Sequence, residues 1–479
     1  MNKSEKIILV TGYFRTIHAG HVRLLRFASS LGENLIVGII RNTEVQEDVS
    51  WQKDALYSLG IISKIEIFNG DIESLVRKIK PNVIVKGLEF SALHNVEADL
   101  MNEIGGELIF SSGHSLVEED HNNKKKVDQL LDFSRIQHNP HKSNVFTEHN
   151  LKNLIESFRG LRVCVIGDVI LDEFINCRIL GLSQEEPLAV ASPIDTSRYA
   201  GGAAIVAAHQ ASLGAQTRLL TVMGEDAEAR WIADKAKSYG IELNYVQDKN
   251  RPTTLKQRYK RGSQTLFKLS RLSEQRIINK VRESFLKLVE DSLHNTDLVV
   301  FSDFSYGVVD AELVKFVVEI CKNRGIPVCA DSQSSSQIGV LSRFSNVDLL
   351  TPTEFEARQE LRNPNDGLAY IAEELRQRIK AKHLILKLGS DGILLQSFDE
   401  KNSSVLTQQI PAFNPHPVDT SGAGDSLLAI ASMSLARGAN IELAATLGSI
   451  GAGIQVSRSG NTPISKEELT REVINITGF

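Results

Sequence analysis

The chain contains few cysteines, and none of them belongs to a CxxC pair. Only four cysteines occur among 479 residues, and two of them, Cys164 and Cys329, lie in apolar runs that are typical of strands. Isolated cysteines in such runs are usually reduced residues of a protein core. We therefore predict that the cysteines are reduced and buried.

Long apolar runs and an excess of one charge are missing as well. No stretch approaches 18 apolar residues, and the first apolar run, residues 7–10, is much shorter than the apolar part of a secretion signal. The formal net charge of −5 provides no broad attraction to nucleic acid or anionic lipid. We therefore expect a cytoplasmic protein with no nucleic-acid or membrane partner.

The length of the chain predicts two domains, because single cores stop growing near about 250–300 residues. Short apolar runs alternate with helical patterns over residues 7–110 and again over residues 162–388, which is typical of parallel α/β sheets. A polar segment rich in Asn, His and Lys separates the two series. We assign residues 1–117 to a first domain, 118–149 to a linker and 150–479 to a second domain.

Two segments of the second domain are strand-like without intervening helices, at residues 172–192 and 253–270. They predict a small antiparallel flap over the sheet. Lys256, Arg258 and Lys260 alternate along the later segment, so on a strand they share one face. That face either holds a phosphate on the substrate or is a solvated outer surface.

The most informative string is VDTSGAGD at residues 418–425, which leads into an apolar helical run. Small residues at a helix start leave backbone N–H groups bare, so Gly422, Ala423 and Gly424 can direct those donors at a phosphate. Asp425 on the same turn can accept a proton from an attacking alcohol. A bare GAGD is often only a helix cap, but the longer string favours phosphoryl transfer.

The string DTSGAGD resembles the second signature of the ribokinase-like, or PfkB, family of carbohydrate kinases, and residues 199–215 resemble the first. The resemblance extends over about residues 160–465. It implies a ribokinase-like α/β domain that uses ATP and Mg²⁺, takes a sugar as acceptor and forms a homodimer through its flap strands.

The same resemblance assigns further residues to the site. Residues that would bind the sugar are Asp168, Asp172, Gly201 and Gly202. The strand spacing described above, and not the resemblance, makes Lys256 and Arg258 candidates for binding a phosphate on that sugar. Residues that would lie under the nucleotide are Lys387, Gly389 and Gly392. Glu356 would lie near the magnesium, although Thr353 replaces the usual Asn of that element. The alternative for Asp168 is that it caps the next element.

Within the family, the second domain most resembles the heptose 7-phosphate kinase half of a bifunctional heptose kinase and adenylyltransferase. Ile205 and His209 stand where that enzyme has asparagines, and Tyr306 stands where it has a lysine. A buried apolar side chain cannot donate to a sugar hydroxyl, so Ile205 indicates a changed or shifted substrate.

In the first domain, His18 and His21 follow the first strand and open the first helix, and Lys86 ends a later strand. Histidines at such a turn can stabilise charge on the α-phosphate of a triphosphate. Residues 6 to about 117 resemble the cytidylyltransferase-like nucleotidyltransferases, including the adenylyltransferase half of the same bifunctional enzyme, in reversed domain order.

This first domain departs from the nucleotidyltransferase pattern, since Arg15 replaces an acidic residue and the terminal Ser-Thr-rich motif is reduced. It either transfers a nucleotide to a sugar 1-phosphate or retains the fold for regulation or dimerisation. For the whole chain, the main hypothesis is a sugar-phosphate kinase, and the alternative is a non-catalytic sugar-nucleotide sensor or scaffold. The intact GAGD string favours the kinase.

Overall fold

The computed structural model describes most of the chain. The residues outside the description are 1–5, 15–18, 42–48, 58, 88–89, 91–94, 112–147, 184, 186–188, 263, 274, 335–338, 365, 400–403, 415–416 and 478–479. Almost all of the predicted linker lies among them, as does His18. The chain divides into two compact units: Met1–Ser143 with Ala357–Gln377 and Leu394–Gln409, and Asn144–Glu356 with Arg378–Ile393 and Ile410–Phe479. The domain boundaries given above stay a prediction.

In the first unit, strands and helices alternate from residue 7 to residue 111. They are β1 (Ile7–Gly12), α1 (Ala19–Ser30), β2 (Asn34–Ile40), α2 (Ser50–Tyr57), β3 (Lys64–Phe68), α3 (Ile72–Ile79), β4 (Val83–Gly87), α4 (Val96–Ile104) and β5 (Glu107–Ser111). The strands pair in parallel in the order β3-β2-β1-β4-β5. The order reverses next to β1, so the ends of β1 and β4 flank the crevice in which such sheets bind ligands.

Residues 148–477 contain the remaining elements. They are α5 (Glu148–Ser157), β6 (Arg162–Gly167), β7 (Val169–Leu182), β8 (Ala189–Gly202), α6 (Ala203–Ser212), β9 (Gln216–Met223), α7 (Ala227–Ser238), β10 (Glu242–Gln247), β11 (Thr254–Arg261), β12 (Gln264–Arg271), α8 (Asn279–Ser292), β13 (Leu298–Asp303), α9 (Ala311–Arg324), β14 (Val328–Ser332), β15 (Leu349–Leu350), α10 (Glu354–Leu361), α11 (Leu368–Ile379), β16 (His383–Lys387), β17 (Ile393–Asp399), β18 (Ser404–Ile410), α12 (Ala423–Ala436), α13 (Ile441–Val456) and α14 (Lys466–Thr477).

Seven strands of the second unit pair in parallel in the order β10-β9-β6-β13-β14-β15-β16. The central strands are continuous apolar runs because helices cover both faces of such a sheet. Helix α12 is buried over most of its length, so it is a core helix whose start is held rigidly. All four cysteines are buried and free, as predicted.

The flap is a separate sheet of four strands in the order β12-β11-β7-β8. The pairs β7–β8 and β11–β12 are antiparallel, but β7 and β11 run in parallel, so the expectation of a purely antiparallel flap was wrong. A long connection separates β7 from β11, and no tight turn forces them into a hairpin. The parallel register places Lys256 beside Asp172 and Arg258 beside Phe174.

Candidate functional site

The second unit contains a cavity of about 740 Å³. Its walls come from the flap, from the segments after β14, β15 and β16, and from the start of α12. The ends of β14 and β16 and the start of α12 therefore face one space, which is where open α/β sheets place their ligands. Among the lining residues are Asp172, Lys256, Arg258, Gln333, Glu356, Lys387 and the run Thr420 to Asp425.

The start of α12 forms one wall of the cavity. Gly422 precedes the helix with a positive φ of 78°, and a Cβ there would collide with the Asn461 side chain. Only glycine adopts this conformation readily, so the turn requires glycine for two reasons. Gly422, Ala423 and Gly424 line the cavity together with Asp425, as the sequence predicted. The N–H groups of a first helical turn lack intrahelical partners and favour an anion.

Asp425 is buried at the cavity wall, where its Oδ1 accepts a hydrogen bond of 2.8 Å from Gln333 Nε2. Burial, together with the nearby charge of Asp331, raises the pKa of Asp425 to about 7. Lys387 and the Gln333 hydrogen bond oppose that rise. A carboxyl group with a pKa near neutrality suits proton abstraction from an alcohol.

Lys387 lies beside the glycine turn, since a Cβ on Gly424 would come within 3.1 Å of its Nζ. The Nζ donates to both oxygens of Asp331, at 2.8 and 2.9 Å. Burial favours the neutral amine, but the charges of Asp331 and Glu356 outweigh it and raise the pKa of Lys387. Lys387 is therefore a fixed positive charge next to the turn.

Asp331 and Gln333 were not identified from the sequence. Gln333 Nε2 also donates to Asp331 Oδ2 at 3.2 Å, so one amide contacts the carboxylates of both Asp331 and Asp425. The available signal was an Asp at the end of the apolar run that forms β14, at the edge where parallel strands carry ligand-binding residues.

Asp172 lines the cavity and is buried, with Oδ1 lacking a hydrogen-bond partner among the described residues. Gly201 lies on the paired strand β8, opposite Ile170, and a Cβ on Gly201 would collide with Asp172 Oδ2. Gly202 also lines the cavity and has a positive φ of 60°. The structure thus brings these three predicted residues together.

Asp168 is placed differently from the other predicted sugar-binding residues. Its Oδ2 accepts from the backbone N–H groups of Phe304 and Tyr306, at 2.9 and 3.3 Å, and its Oδ1 accepts from Val308 at 3.3 Å. It is not among the residues that line the cavity. Its carboxylate fixes the loop after β13, which is neither the predicted sugar contact nor a cap of the next element.

Two of the three residues of the basic face predicted on the flap lie at the cavity, whereas Lys260 lines a separate, smaller pocket. Lys256 and Arg258 both line the cavity, and Lys268 on β12 joins them. Lys256 Nζ lies 4.8 Å from the ring centre of Phe304, and Arg258 donates to Ser421 Oγ at 2.6 Å. Lys256 and Arg258 are half-buried, and each makes a hydrogen bond or a ring contact at the cavity, which favours a phosphate-binding face over a solvated outer surface.

Glu356 lines the cavity from the first turn of α10. Its reciprocal hydrogen bonds with Thr353 cap the start of that helix. Thr353 Oγ1 accepts from the Glu356 N–H at 3.2 Å, and Glu356 Oε2 accepts from the Thr353 N–H at 2.7 Å. This pair is a capping box, which explains a Thr at this position. Glu356 Oε1 accepts from the Ser334 N–H at 2.7 Å. The magnesium role of Glu356 stays a prediction.

The loop after β16 also lines the cavity through Gly389 and Gly392. Both have positive φ, of 63° and 85°, and a Cβ on Gly392 would collide with the backbone at Ile410. These glycines permit the close backbone approach that the sequence predicted. The neighbouring lining residues are largely apolar: Ile393, Ala412, Phe413, Leu427, Ala452 and Val456.

The three unusual positions noted in the sequence do not line the cavity. Ile205, His209 and Tyr306 are buried in the core. Burial lowers the pKa of His209 to about 3, and its Nδ1 accepts from the Ile464 N–H at 3.1 Å. His209 is therefore neutral and supports the segment that precedes α14.

In the first unit, Lys86 lies in β4 next to β1, and its charge is balanced locally. Its Nζ donates to Glu97 Oε1 at 2.7 Å and to Asn95 Oδ1 at 2.9 Å. His21 lies in α1 with its ring centre 5.1 Å from that of Phe14. The partner histidine, His18, lies outside the described residues, so the histidine pair stays a prediction.

The described residues include no helix long and apolar enough to cross a membrane. They also include no cluster of three or more His, Cys, Asp or Glu side chains that could hold a metal ion.

Residues 161–468 match the pfkB family of carbohydrate kinases, and residues 9–92 match the cytidylyltransferase-like family. Among curated relatives, the bifunctional protein HldE of Koribacter versatilis is 30% identical over 329 residues, which cover 67% of this chain and 64% of that protein. HldE of Desulfatibacillum aliphaticivorans is 28% identical with the same coverage. The chain thus spans just under two thirds of the length of these relatives.

Solved structures with the same fold include phosphofructokinase-2 from Escherichia coli in complex with substrates and products. It is 17% identical with a TM-score of 0.54, and the match covers 66% of this chain and 99% of that one. Ribokinase from Thermotoga maritima is 21% identical with a TM-score of 0.50, over 65% of this chain and 99% of that one. The ribokinase-like fold predicted for the second domain is confirmed, as are the two family resemblances.

Proposed function

The chain belongs to the pfkB family of carbohydrate kinases, and we propose that its second unit transfers the γ-phosphoryl group of ATP to a phosphorylated sugar similar to heptose 7-phosphate. The observation that carries this proposal is Asp425. Its carboxyl group, with a pKa raised to about 7, lies on the same helical turn as Gly422 and Gly424 and lines the same cavity.

In the proposed reaction, Asp425 takes the proton of the attacking hydroxyl as its oxygen bonds to the γ-phosphorus. The bond from that phosphorus to the β,γ-bridging oxygen breaks, and ADP leaves with the electron pair. The amides of residues 422–424 and the charge of Lys387 stabilise the negative charge on the transferred group. Asp172 orients the sugar through its hydroxyls.

A phosphate on the acceptor fits the positive face of the flap. Lys256, Arg258 and Lys268 line the cavity beside Asp172. Cations that are partly shielded from water bind a phosphate more strongly than exposed ones. This charge distribution favours a sugar phosphate over a neutral sugar.

The adenine of ATP would occupy the largely apolar part of the cavity, next to Gly389 and Gly392. The residues present also fit a magnesium ion, because Mg²⁺ keeps several waters and uses only one or two carboxylates with the phosphates. Glu356 would hold it through water, since both of its oxygens already accept backbone N–H groups. The ion would neutralise charge on the phosphates.

The test is a phosphoryl-transfer assay with ATP and a panel of sugar phosphates that includes heptose 7-phosphate. We expect turnover by the wild type and loss of turnover in Asp425→Asn, with acceptor and nucleotide binding retained by calorimetry. Binding without turnover in the wild type would support the non-catalytic sensor instead.

For the first unit we propose nucleotidyl transfer to a sugar 1-phosphate, supported by its family match and by the position of Lys86 at the crevice of the sheet. The measurement is pyrophosphate release from ATP or CTP with heptose 1-phosphate. His18→Ala and His21→Ala should abolish it, whereas Asp425→Asn should not change it. Equal rates in the wild type and the histidine variants would leave regulation or dimerisation as the role of this unit.

A further inference from the structure

Asn461 lies at the cavity wall between Asp172 and the glycine turn. It lines the cavity, it is only 6% exposed, and its Nδ2 donates to Asp172 Oδ2 at 3.4 Å. The Asn461 side chain also leaves no room for a side chain at position 422, because a Cβ on Gly422 would collide with Asn461 Oδ1. Asn461 is therefore in contact with both the hydroxyl-binding carboxylate and the proposed anion hole.

One acceptor atom on each side chain of this hydrogen-bonded pair lacks a donor among the described residues. Asp172 Oδ1 and Asn461 Oδ1 have no hydrogen-bond partner among the described residues, and both side chains are more than nine-tenths buried. A buried polar atom without a partner is costly, and native structures seldom leave one unexplained. Both atoms belong to side chains that line the cavity, so a ligand with hydroxyl donors would satisfy them.

The orientation of the Asn461 amide follows from its neighbour. An ionised carboxylate only accepts hydrogen bonds, so the amide nitrogen is directed at Asp172 and the amide oxygen is left for another donor. The two free acceptors consequently belong to adjacent, hydrogen-bonded side chains. Two hydroxyl groups of one sugar would supply the two missing donors.

The segment that carries Asn461 is held on both sides. Gln455 Nε2 donates to the carbonyl oxygens of Ser421 and Gly460, at 3.2 and 3.0 Å. The Gly460 N–H donates to Asp419 Oδ2 at 3.2 Å. A residue meant to read a ligand needs such fixed support, because a loosely held side chain loses specificity.

We propose that Asn461 and Asp172 together bind two neighbouring hydroxyls of the acceptor sugar, and that Asn461 is a specificity-determining residue of the kinase. This inference rests on the proposed function of the second unit. It adds a second hydroxyl contact, from a residue that is hydrogen-bonded to Asp172 and lies outside the flap strands. A sugar that lacks the hydroxyl facing Asn461 would leave its amide oxygen unpaired and would be a poor acceptor.

The experiment uses the full-length protein with heptose 7-phosphate and its monodeoxy analogues, and measures kcat and KM for each. In the wild type, two adjacent deoxy positions should each lower kcat/KM by about tenfold or more. In Asn461→Ala, the KM for heptose 7-phosphate should rise by a similar factor, and the penalty at one of the two positions should disappear. The KM for ATP should stay unchanged.

Two further variants separate binding from a structural role. Asn461→Ser keeps a short hydrogen-bond acceptor, so part of the fall in kcat/KM caused by the deoxy analogue should return. Asn475→Ala, at an exposed position in α14, serves as the matched control. A fall in kcat for every acceptor with both deoxy penalties intact in Asn461→Ala would overturn the inference. No turnover by the wild type with any sugar phosphate would instead refute the proposed kinase reaction itself.

Discussion

The raised pKa of Asp425 predicts how the kinase reaction depends on pH. The base must be ionised to accept a proton, so kcat/KM should rise with pH and level off above about 7. A single group with a pKa of about 7 leaves about 10% of the plateau at pH 6 and about 1% at pH 5. An aspartate with the ordinary value of 3.8 would instead give a flat profile over this range.

Two variants should move the rising limb of the pH profile of kcat/KM in opposite directions. The Asp331 charge raises the pKa of Asp425, so Asp331→Asn should shift the limb to lower pH. The same substitution frees Lys387 from its ion pair with Asp331, and the unpaired charge of Lys387 also lowers the pKa of Asp425. The hydrogen bond from Gln333 lowers the pKa, so Gln333→Leu should shift the limb to higher pH.

The assay is kcat/KM for the acceptor from pH 5 to pH 9 at saturating ATP. The titration of ATP itself is common to the three proteins, so differences between their profiles belong to the site. The position of the limb is compared, and not its height, because losing one member of a buried ion pair also destabilises the protein. A flat wild-type profile, or shifts of equal sign in both variants, would refute the assignment of Asp425 as base.

Three other perturbations have defined outcomes. The pKa of Asp425 is raised on folding, so the stability that it contributes is present below about pH 4 and is lost as pH rises through 7. Asp425→Asn should therefore unfold in urea with a free energy roughly 2–4 kcal/mol above that of the wild type at pH 8. Near pH 4 the two proteins should be equally stable. Lys256→Gln should raise the KM of a phosphorylated acceptor by about tenfold or more, whereas the exposed control Lys315→Gln should not; an equal rise for the unphosphorylated sugar would contradict a phosphate contact. Gly201→Ala should displace Asp172 and raise the acceptor KM while the KM for ATP stays constant, and an unchanged acceptor KM would show that Asp172 does not contact the sugar.

The parts of the candidate site that could be predicted from the sequence have geometries fixed by residues close together in the chain. The glycine turn and Asp425 are adjacent in the chain, and a helix start fixes their relative positions whatever surrounds them. Gly389 and Gly392 were likewise predictable, since their backbone conformations belong to one short loop. The alternation of apolar runs and helical patterns predicted both parallel sheets for the same reason.

The residues that were missed come together only through tertiary contacts. Asp331 lies in β14 and Gln333 follows it, 92 or more residues before Asp425, and no local pattern links the two segments. Asn461 lies in a segment with no recognisable motif, and its proposed role depends on a contact with Asp172, 289 residues away. Asp168 shows the opposite case, because its position at a strand end is compatible with both a ligand contact and a cap, and the coordinates show neither.

The flap explains why strand register matters to this site. In the parallel pair of β7 and β11, Lys256 pairs with Asp172, so a cation and a carboxylate line the cavity side by side. A slip of one residue would turn either strand's set of side chains to the other face. If Lys256 binds the acceptor phosphate as proposed, that phosphate would set where the sugar hydroxyls lie relative to Asp172 and Asn461. It would thereby select the hydroxyl that reaches Asp425. The distance between the phosphate and the reacting hydroxyl, rather than any single contact, should consequently decide which sugar phosphate is the acceptor.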